Sequence, residues 1–440
     1  MKRLPESFIN RMRAELGDEF PRFIECYEKP PVRGLRVNTL KISPAFFRAV
    51  SPWELEETGV IPEGFIAREA ENVGRHPFHA AGLFYMQEPS AMSVIRESTV
   101  DDSGMRVLDL CAAPGGKSGG IAARMAGKGV LVSNEIIPKR AALLSRNLER
   151  LGVTNAAVIS AKPEAAADAL PGFFDVVLVD APCSGEGMFR KDETAVAEWS
   201  GEHVSSCAVR QSLILESAEK CVADGGALVY STCTFSREEN EGVIEGFLAV
   251  HKEFSIEHTE RLYPHTSCGE GHFVCRMRRG GSAPRRVSFT GIRQLCDGST
   301  VSLLDRFLKG TLKSGLPDGV LYCPRGRIRL IPCEMPEAVL SLHPISVGVE
   351  LGELRKGRME PSHSFFMAAA GQEYVRELKL APGSRELSAF MSGNTTPCPD
   401  EWSGYAAVSV EAGSSSFPIG FGKAVGGVMK NHLPKGLYVQ

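Results

Sequence analysis

The sequence predicts an α/β protein built around a doubly wound, largely parallel sheet, and three observations carry that prediction. Between Met105 and about Arg279, short apolar segments alternate with helical patterns. Those segments are continuously apolar, as strands buried on both faces are. The first of them runs into a small-residue turn ahead of a helix, and the second ends on a carboxylate, the places where such sheets hold ligands.

Taken in chain order, Phe8, Met12, Leu16 and Phe20 recur every fourth residue and predict an amphipathic opening helix. Arg33–Lys41 (RGLRVNTLK) alternates and predicts a strand with basic flanks, so the first hundred residues read as a small α+β module. The expected strands of the central sheet are Arg106–Leu110, Gly129–Asn134, Ala156–Ser160, Asp175–Asp180 and Ala227–Ser231. Helices are expected over Lys139–Leu151 and Ser205–Val222, the second stopped by Asp224-Gly225-Gly226. Gly280-Gly281-Ser282-Ala283-Pro284 reads as a linker. Arg276 to Leu330 then carries twelve basic residues against Asp297, Asp305 and Asp318, a net of +9. The last ninety residues return to short strands and turns, with no internal repeat or low-complexity tract.

A chain of 440 residues has room for about three domains at roughly 150 residues each. Its 43% hydrophobic and 23% charged residues argue against wholesale disorder. The formal charge of −3 leaves no whole-protein basic field, so any nucleic acid would have to be met by a local patch. No apolar stretch of signal-peptide length follows Met1-Lys2-Arg3-Leu4-Pro5-Glu6, and no apolar run nears the roughly 18 residues of a membrane span. Twelve cysteines without a CxxC pair suggest neither a zinc ribbon nor a disulfide framework, and no other metal-ligand pattern stands out. The expectation is a cytoplasmic protein, off the membrane, with its thiols reduced.

Three segments carry chemistry. In Val107–Ser118 (VLDLCAAPGGKS) a strand enters a turn of small residues, where a ligand can approach the backbone and meet the free N–H groups of the following helix. The glycine spacing fits neither a P-loop nor GxGxxG. A ligand-free turn is the plain alternative; Asn134-Glu135, about twenty residues on, tips the balance towards an adenosine-type ligand, since a carboxylate there meets ribose hydroxyls. In Phe174–Gly187 (FDVVLVDAPCSGEG) a buried strand delivers Asp180 and Cys183 to the same edge, and in Leu228–Phe235 (LVYSTCTF) another delivers Cys233. A single cysteine is most often a small buried hydrophobe. Two just past neighbouring strand ends, one beside an aspartate, point instead to thiol chemistry.

These segments resemble the RNA 5-methylcytosine methyltransferases of the Nop2/NSUN/Sun family, bacterial 16S rRNA enzymes of the RsmF (YebU) type above all. The resemblance lies in Asp109–Ser118 (DLCAAPGGKS), Asp180–Lys191 (DAPCSGEGMFRK) and Ser231–Glu241 (STCTFSREENE). It extends to Arg36–Lys41 (RVNTLK), Tyr85–Met92 (YMQEPSAM), Pro264–Phe273 (PHTSCGEGHF), Arg355–Pro361 (RKGRMEP) and Lys430–Gly436 (KNHLPKG), nearly the whole chain.

The resemblance implies a Rossmann-like class I methyltransferase domain over 101–280. An N-terminal α+β RNA-binding module over 1–100, a basic linking region over 281–350 and a PUA-like RNA-binding domain over 351–440 would accompany it. It implies transfer of a methyl group from S-adenosylmethionine to carbon 5 of a cytosine in 16S rRNA. Cys233 would be the nucleophile at carbon 6, Cys183 would assist release by helping remove the carbon-5 proton, Asp180 would bind the base edge near N3, and Lys117 would lie between cofactor and base. Cys111, Ala112, Ala113, Pro114, Gly115, Gly116 and Lys117 would wrap the cofactor, Glu135 would accept from its ribose, Asp180 would border its sulfonium, and Arg140 is a further candidate. The adenine contact departs from the family pattern, because Ala161-Lys162-Pro163-Glu164 stands where many members carry an aspartate. RNA, as 16S rRNA or the small ribosomal subunit, would be the partner of a monomeric enzyme. Phosphate contacts from the basic segment, and from Arg33, Arg36 and Lys41, would position it, and the target base must be unpaired or flipped out. A tRNA cytosine-5 methyltransferase, a catalytically idle RNA-binding assembly factor and a small-molecule methyltransferase are the competing hypotheses.

Overall fold

The computed structural model describes residues 4–68, 72–281, 287–293, 296–368 and 374–438. Met1–Arg3, most of the expected linker (Ser282, Ala283 and Pro284) and the basic residues Arg285 and Arg286 lie outside the described residues.

The central sheet is formed by β1 (Arg106–Asp109), β2 (Val130–Asn134), β3 (Ala156–Ile159), β4 (Phe174–Asp180), β5 (Val222–Thr232), β6 (Phe254–Leu262), β7 (His272–Arg279) and β8 (Ser346–Val347). Its order is β6-β7-β5-β4-β1-β2-β3-β8. The five inner strands, β5 to β3, are parallel, while β6, β7 and β8 add antiparallel edges. Strand order reverses between β4 and β1, which opens a crevice at their carboxyl ends.

Helices cover both faces. α1 (Gly116–Met125) and α2 (Pro138–Leu151) lie on one side, where Ile121, Ala122, Leu144 and Leu148 pack on Val107, Leu131, Leu178 and Val229. α2 shows the reason in its sequence: Ala141, Leu144, Leu148 and Leu151 form one buried stripe, Pro138 opens the helix, and Gly152 ends it at φ +78°. α3 (Gly201–Cys221) covers the other side with Ile214, Leu215 and Ala218, and Ser200 caps it by accepting from the backbone N–H of His203.

The helix expected over Ser205–Val222 thus begins four residues earlier, and Asp224-Gly225-Gly226 is not its stop signal. Val222 already has extended backbone, and the two glycines lie inside β5, where the pairing slips between Phe174–Val222 and Val176–Ala227 and Gly225 sits at φ +75°. A strand irregularity and a helix end both call for glycine, so the sequence signal is ambiguous.

At the N-terminus, Glu6–Leu16 and Phe20–Glu25 are helical, and Phe8, Met12, Phe20 and Phe23 pack with Phe189 and Phe235 from the loops after β4 and β5. A four-stranded antiparallel sheet follows, including Gly34–Val37, and shares a core with the C-terminal sheet. Leu35, Phe47 and Phe84 lie in one cluster with Leu387, Phe390, Val408 and Phe417. That C-terminal sheet has five strands between Glu377 and Asn431. A third small sheet lies between it and the catalytic sheet in sequence, and there Cys296 and Cys323 form a disulfide. The expectation that all twelve cysteines are thiols is corrected for this pair, which the fold brings together across 27 residues of sequence.

Part of the basic segment is paired within the protein. Arg276 and Arg278 pair with Glu257, Arg279 with Glu219 and Asp224, and Arg327 and Arg329 with Glu350. Arg36 and Lys41 are likewise not free to clamp RNA. Arg36 is 1% exposed, and the Lys41 ammonium donates to the carbonyls of Ala81 and Arg150 at 2.8 and 3.0 Å. Burial brings the Lys41 pKa down to about 7. Among the described residues no helix is long and apolar enough to cross a membrane.

Candidate active site

The crevice is built by the turn after β1 and the loops after β4 and β5. The turn, Leu110–Gly115, is held from both neighbours: Leu110 N–H donates to the Leu178 carbonyl of β4 at 2.9 Å and Ala112 N–H to the Asn134 carbonyl of β2 at 2.8 Å. The Ala113–Pro114 peptide is cis, and Gly115 has φ +109°. A Cβ on Gly115 would be strained by that φ and lie 3.0 Å from Leu144, and one on Gly116 would sit tightly, 3.1 Å from the Tyr85 ring. Arg140 donates to the Ala113 carbonyl at 3.1 Å and pairs with Glu135 at 3.3 Å. Asn147 donates to the Pro114 carbonyl at 2.8 Å. Glu135, 4% exposed, stands just past β2.

Beneath the turn, Asp109 accepts from the Ser118 hydroxyl at 2.6 Å, and its other carboxylate oxygen is buried without a partner. Burial raises the Asp109 pKa to about 6. Burial also pushes the Cys111 thiol up, reinforced by the Asp109 charge, so Cys111 stays protonated in this turn.

The loop after β4 meets the loop after β5. Cys183 Sγ and Cys233 Sγ are 3.3 Å apart, and Gly187 N–H donates to the Cys233 carbonyl at 2.8 Å. That approach is possible because position 187 is glycine: a Cβ there would fall 2.8 Å from the Gly271 carbonyl and 2.9 Å from that of Cys233. The hydrogen bond to the Cys233 sulfur, then burial, drives the Cys183 pKa far above the usual thiol range. Cys183 therefore keeps its proton.

Asp180, at the end of β4, is gripped from two sides. Lys117, in the first turn of α1, donates to Oδ2 at 2.6 Å, and Ser231 of β5 donates to Oδ1 at 2.9 Å. Burial opposes the Asp180 charge, but Lys117, aided by these hydrogen bonds, outweighs it and leaves the carboxyl below its ordinary range. Burial likewise opposes the Lys117 charge, and Asp180 reverses that, so the ammonium sits above its ordinary range.

All four catalytic candidates thus meet at one edge of the sheet as two contacting pairs, Cys183 with Cys233 and Lys117 with Asp180, and the turn Cys111–Gly116 faces Glu135 and Arg140. Glu164 does not join them; it is exposed at the start of the helix Pro163–Ala169. Residues that the sequence reading left without a role complete the site. Glu239, 0% exposed, accepts from Ser184 N–H at 2.9 Å, from the Ser184 hydroxyl and from Gln211 at 2.9 Å, and so locks the Cys183 loop. Glu186, also 0% exposed, accepts from Arg11 at 2.6 Å, Trp199 at 2.9 Å and Phe235 N–H at 3.0 Å, which joins the opening helix to the Cys233 loop. Both acids sit inside the motif blocks, but nothing in their spacing marks a carboxylate that only positions loops. His272 lies beside Asp180, its Nε2 3.7 Å from Oδ1.

A doubly wound sheet with a backbone-lined turn, a carboxylate one strand over, and thiols converging at the same edge defines a methyltransferase of the Rossmann-like class. More closely, the chain belongs to the family of 16S rRNA methyltransferase F. Residues 99–278 match the family described as 16S rRNA methyltransferase RsmB/F, residues 4–89 the N-terminal domain of 16S rRNA methyltransferase RsmF, and residues 377–438 the RsmF PUA domain. A ribosomal RNA small subunit methyltransferase F from Aeromonas hydrophila is 34% identical, the match covering 99% of this chain and 97% of that one. The corresponding protein from Erwinia tasmaniensis is 38% identical over a match spanning 64% of each chain. The crystal structure of NSun6 from Pyrococcus horikoshii with SFG shares the fold at a TM-score of 0.57, with 20% identity over 64% of this chain and all of that one.

Proposed function

We propose that this enzyme forms 5-methylcytosine in 16S rRNA through a covalent bond between Cys233 and carbon 6 of the base. The observation that carries the reading is the 3.3 Å separation of the two sulfurs beside Asp180. Carbons 5 and 6 of a pyrimidine are bonded neighbours, and two touching thiols can address both at once.

Carbon 5 of cytosine is a poor nucleophile until sulfur adds at carbon 6 and makes it enamine-like. Cys233 adds as the thiolate, its proton having passed to solvent, while Cys183 keeps its own. Asp180, kept ionised by Lys117, accepts from the amine edge of the base beside N3 and orients the ring. After methylation, a water held by the Cys183 thiol takes the carbon-5 proton, the electron pair of that C–H bond re-forms the double bond between carbons 5 and 6, and Cys233 leaves carbon 6 as a thiolate.

S-Adenosylmethionine supplies the methyl group when bound. The absence of side chains at Gly115 and Gly116 and of a side-chain cap on α1 supports this reading, with the backbone of the turn and the first N–H groups of α1 meeting the cofactor and Glu135 accepting from its ribose hydroxyls. Arg140 acts by holding Glu135 and the Ala113 carbonyl. The N-terminal module and the C-terminal PUA-like region present folded RNA to the crevice, with the target cytosine flipped out of its stack.

The test is Cys233→Ala and Cys183→Ala, assayed separately with labelled S-adenosylmethionine and unmethylated rRNA. The first should abolish methyl transfer, and the second should leave RNA covalently trapped on the protein. Normal methylation by Cys233→Ala would refute the assignment. Bisulfite sequencing of total RNA from a deletion strain should show the mark lost from 16S rRNA; loss from tRNA instead would reassign the substrate.

A further inference from the structure

His272 is 2% exposed, yet neither ring nitrogen has a hydrogen-bond partner. A buried imidazole normally satisfies both nitrogens, so this one is an exception whose partner the protein itself does not supply. Sheet register explains where it points. Asp180 pairs with Ser231, Ser231 with Val274, and paired residues share a face; two residues before Val274, His272 returns to that face at the carboxyl edge. It therefore stands in the same wall as Asp180 and Ser231, with Nε2 3.7 Å from Asp180 Oδ1. Ser231 and Lys117 already occupy the carboxylate from other directions, at 2.9 and 2.6 Å.

Burial, and then the nearby Lys117 charge, lower the His272 pKa to about 4. The imidazole is neutral under ordinary conditions and offers one accepting nitrogen. With the proton on Nδ1, Nε2 and Asp180 Oδ1 are two acceptors, spaced so that one donor nitrogen can reach both. An exocyclic amine satisfies that pair. A carbonyl oxygen in its place would face two acceptors and leave both unmatched.

We propose that His272 is a specificity-determining residue that accepts, together with Asp180, from the exocyclic amine of the target cytosine, and so sets cytosine apart from uracil. The proposal rests on the cytosine reading above. Its test pairs the residue with the base group it contacts. The methylated position is first mapped with the wild-type enzyme. RNAs carrying there either cytidine or 2-pyrimidinone ribonucleoside, which lacks the amine, are then methylated by wild type, His272→Phe and His272→Gln.

His272→Phe should lower kcat/KM on cytidine by roughly tenfold or more, and on 2-pyrimidinone by no more than about twofold. His272→Gln, whose amide oxygen remains an acceptor, should recover most of the loss on cytidine. Equal losses on both RNAs, or no loss on either, would overturn the proposal while leaving wild-type methylation of cytosine intact. Failure of the wild-type enzyme to methylate cytidine at all would instead bring down the underlying function. If His272→Phe does not fold, His272→Leu takes its place: a loss on cytidine alone counts for the proposal, and an equal loss on both RNAs, or none on either, counts against it.

Discussion

At the scale of residues, the site works by charges and thiols placed against their solvation preference. Asp180 would rise in pKa from burial alone, and Lys117 is the main group that prevents it. A carboxyl held low stays ionised until the pH falls through its folded-state value, and the favourable pairing is lost only there. Lys117→Met should remove that hold, let burial dominate and move the acid limb of the kcat/KM profile to higher pH. An acid limb that stays in place, whatever the loss in rate, would show that Asp180 is not the group that titrates. The cysteine pair follows the same logic: the sulfur contact and burial keep a proton on Cys183, which separates the roles of two chemically identical side chains.

At the scale of elements, the turn after β1 is clamped from outside its own domain. Arg36, on the N-terminal strand Gly34–Val37, donates to Gln87 at 2.8 Å and to the Gly116 carbonyl at 3.0 Å. Its burial lowers the guanidinium pKa to about 10, still well above neutral, so it remains a cation inside the protein. Arg36→Leu keeps bulk but leaves that carbonyl unpaired, and should cost about 2–3 kcal/mol of stability. Because Gly116 opens α1 beside the cofactor turn, affinity for S-adenosylmethionine should weaken as well. Thermal denaturation and calorimetric titration check the two effects; unchanged affinity at reduced stability would make Arg36 a structural clamp only. A segment expected to show its cations to RNA thus turns Arg36 and Lys41 inward and leaves Arg33 exposed, and alternation within RGLRVNTLK cannot tell the two apart.

At the scale of the molecule, the N-terminal module and the C-terminal domain are joined although the whole catalytic domain separates them in sequence. Leu35, Phe47 and Phe84 depend on Leu387, Phe390, Val408 and Phe417 for burial. His363 bonds Glu149 of α2 at 2.7 Å, and β8 extends the catalytic sheet. Deleting residues 377–438 should therefore do more than remove an RNA-binding surface. It should expose the shared core and destabilise the N-terminal module, seen as rapid proteolysis of residues before 100 and a lower melting temperature. A truncated protein that melts like the full chain would show that the modules fold independently.

What the sequence alone determined is the local and periodic part: the five inner strands to within a few residues, apart from β5, which starts earlier, together with α2, the glycine turn and the blocks carrying Lys117, Asp180, Cys183 and Cys233. Each is written in a run of neighbouring residues, because burial on both faces, close backbone approach and strand-end placement impose composition directly. Tertiary structure decided what depends on partners distant in the chain. It placed the two sulfurs in contact, left His272 unpartnered beside Asp180, turned Arg36 and Lys41 inward, paired Arg276, Arg278, Arg279, Arg327 and Arg329 of the basic segment with carboxylates, and paired Cys296 with Cys323. Whether a charged or polar side chain faces water, a ligand or another residue is settled by what the fold brings opposite it, and no local pattern encodes that.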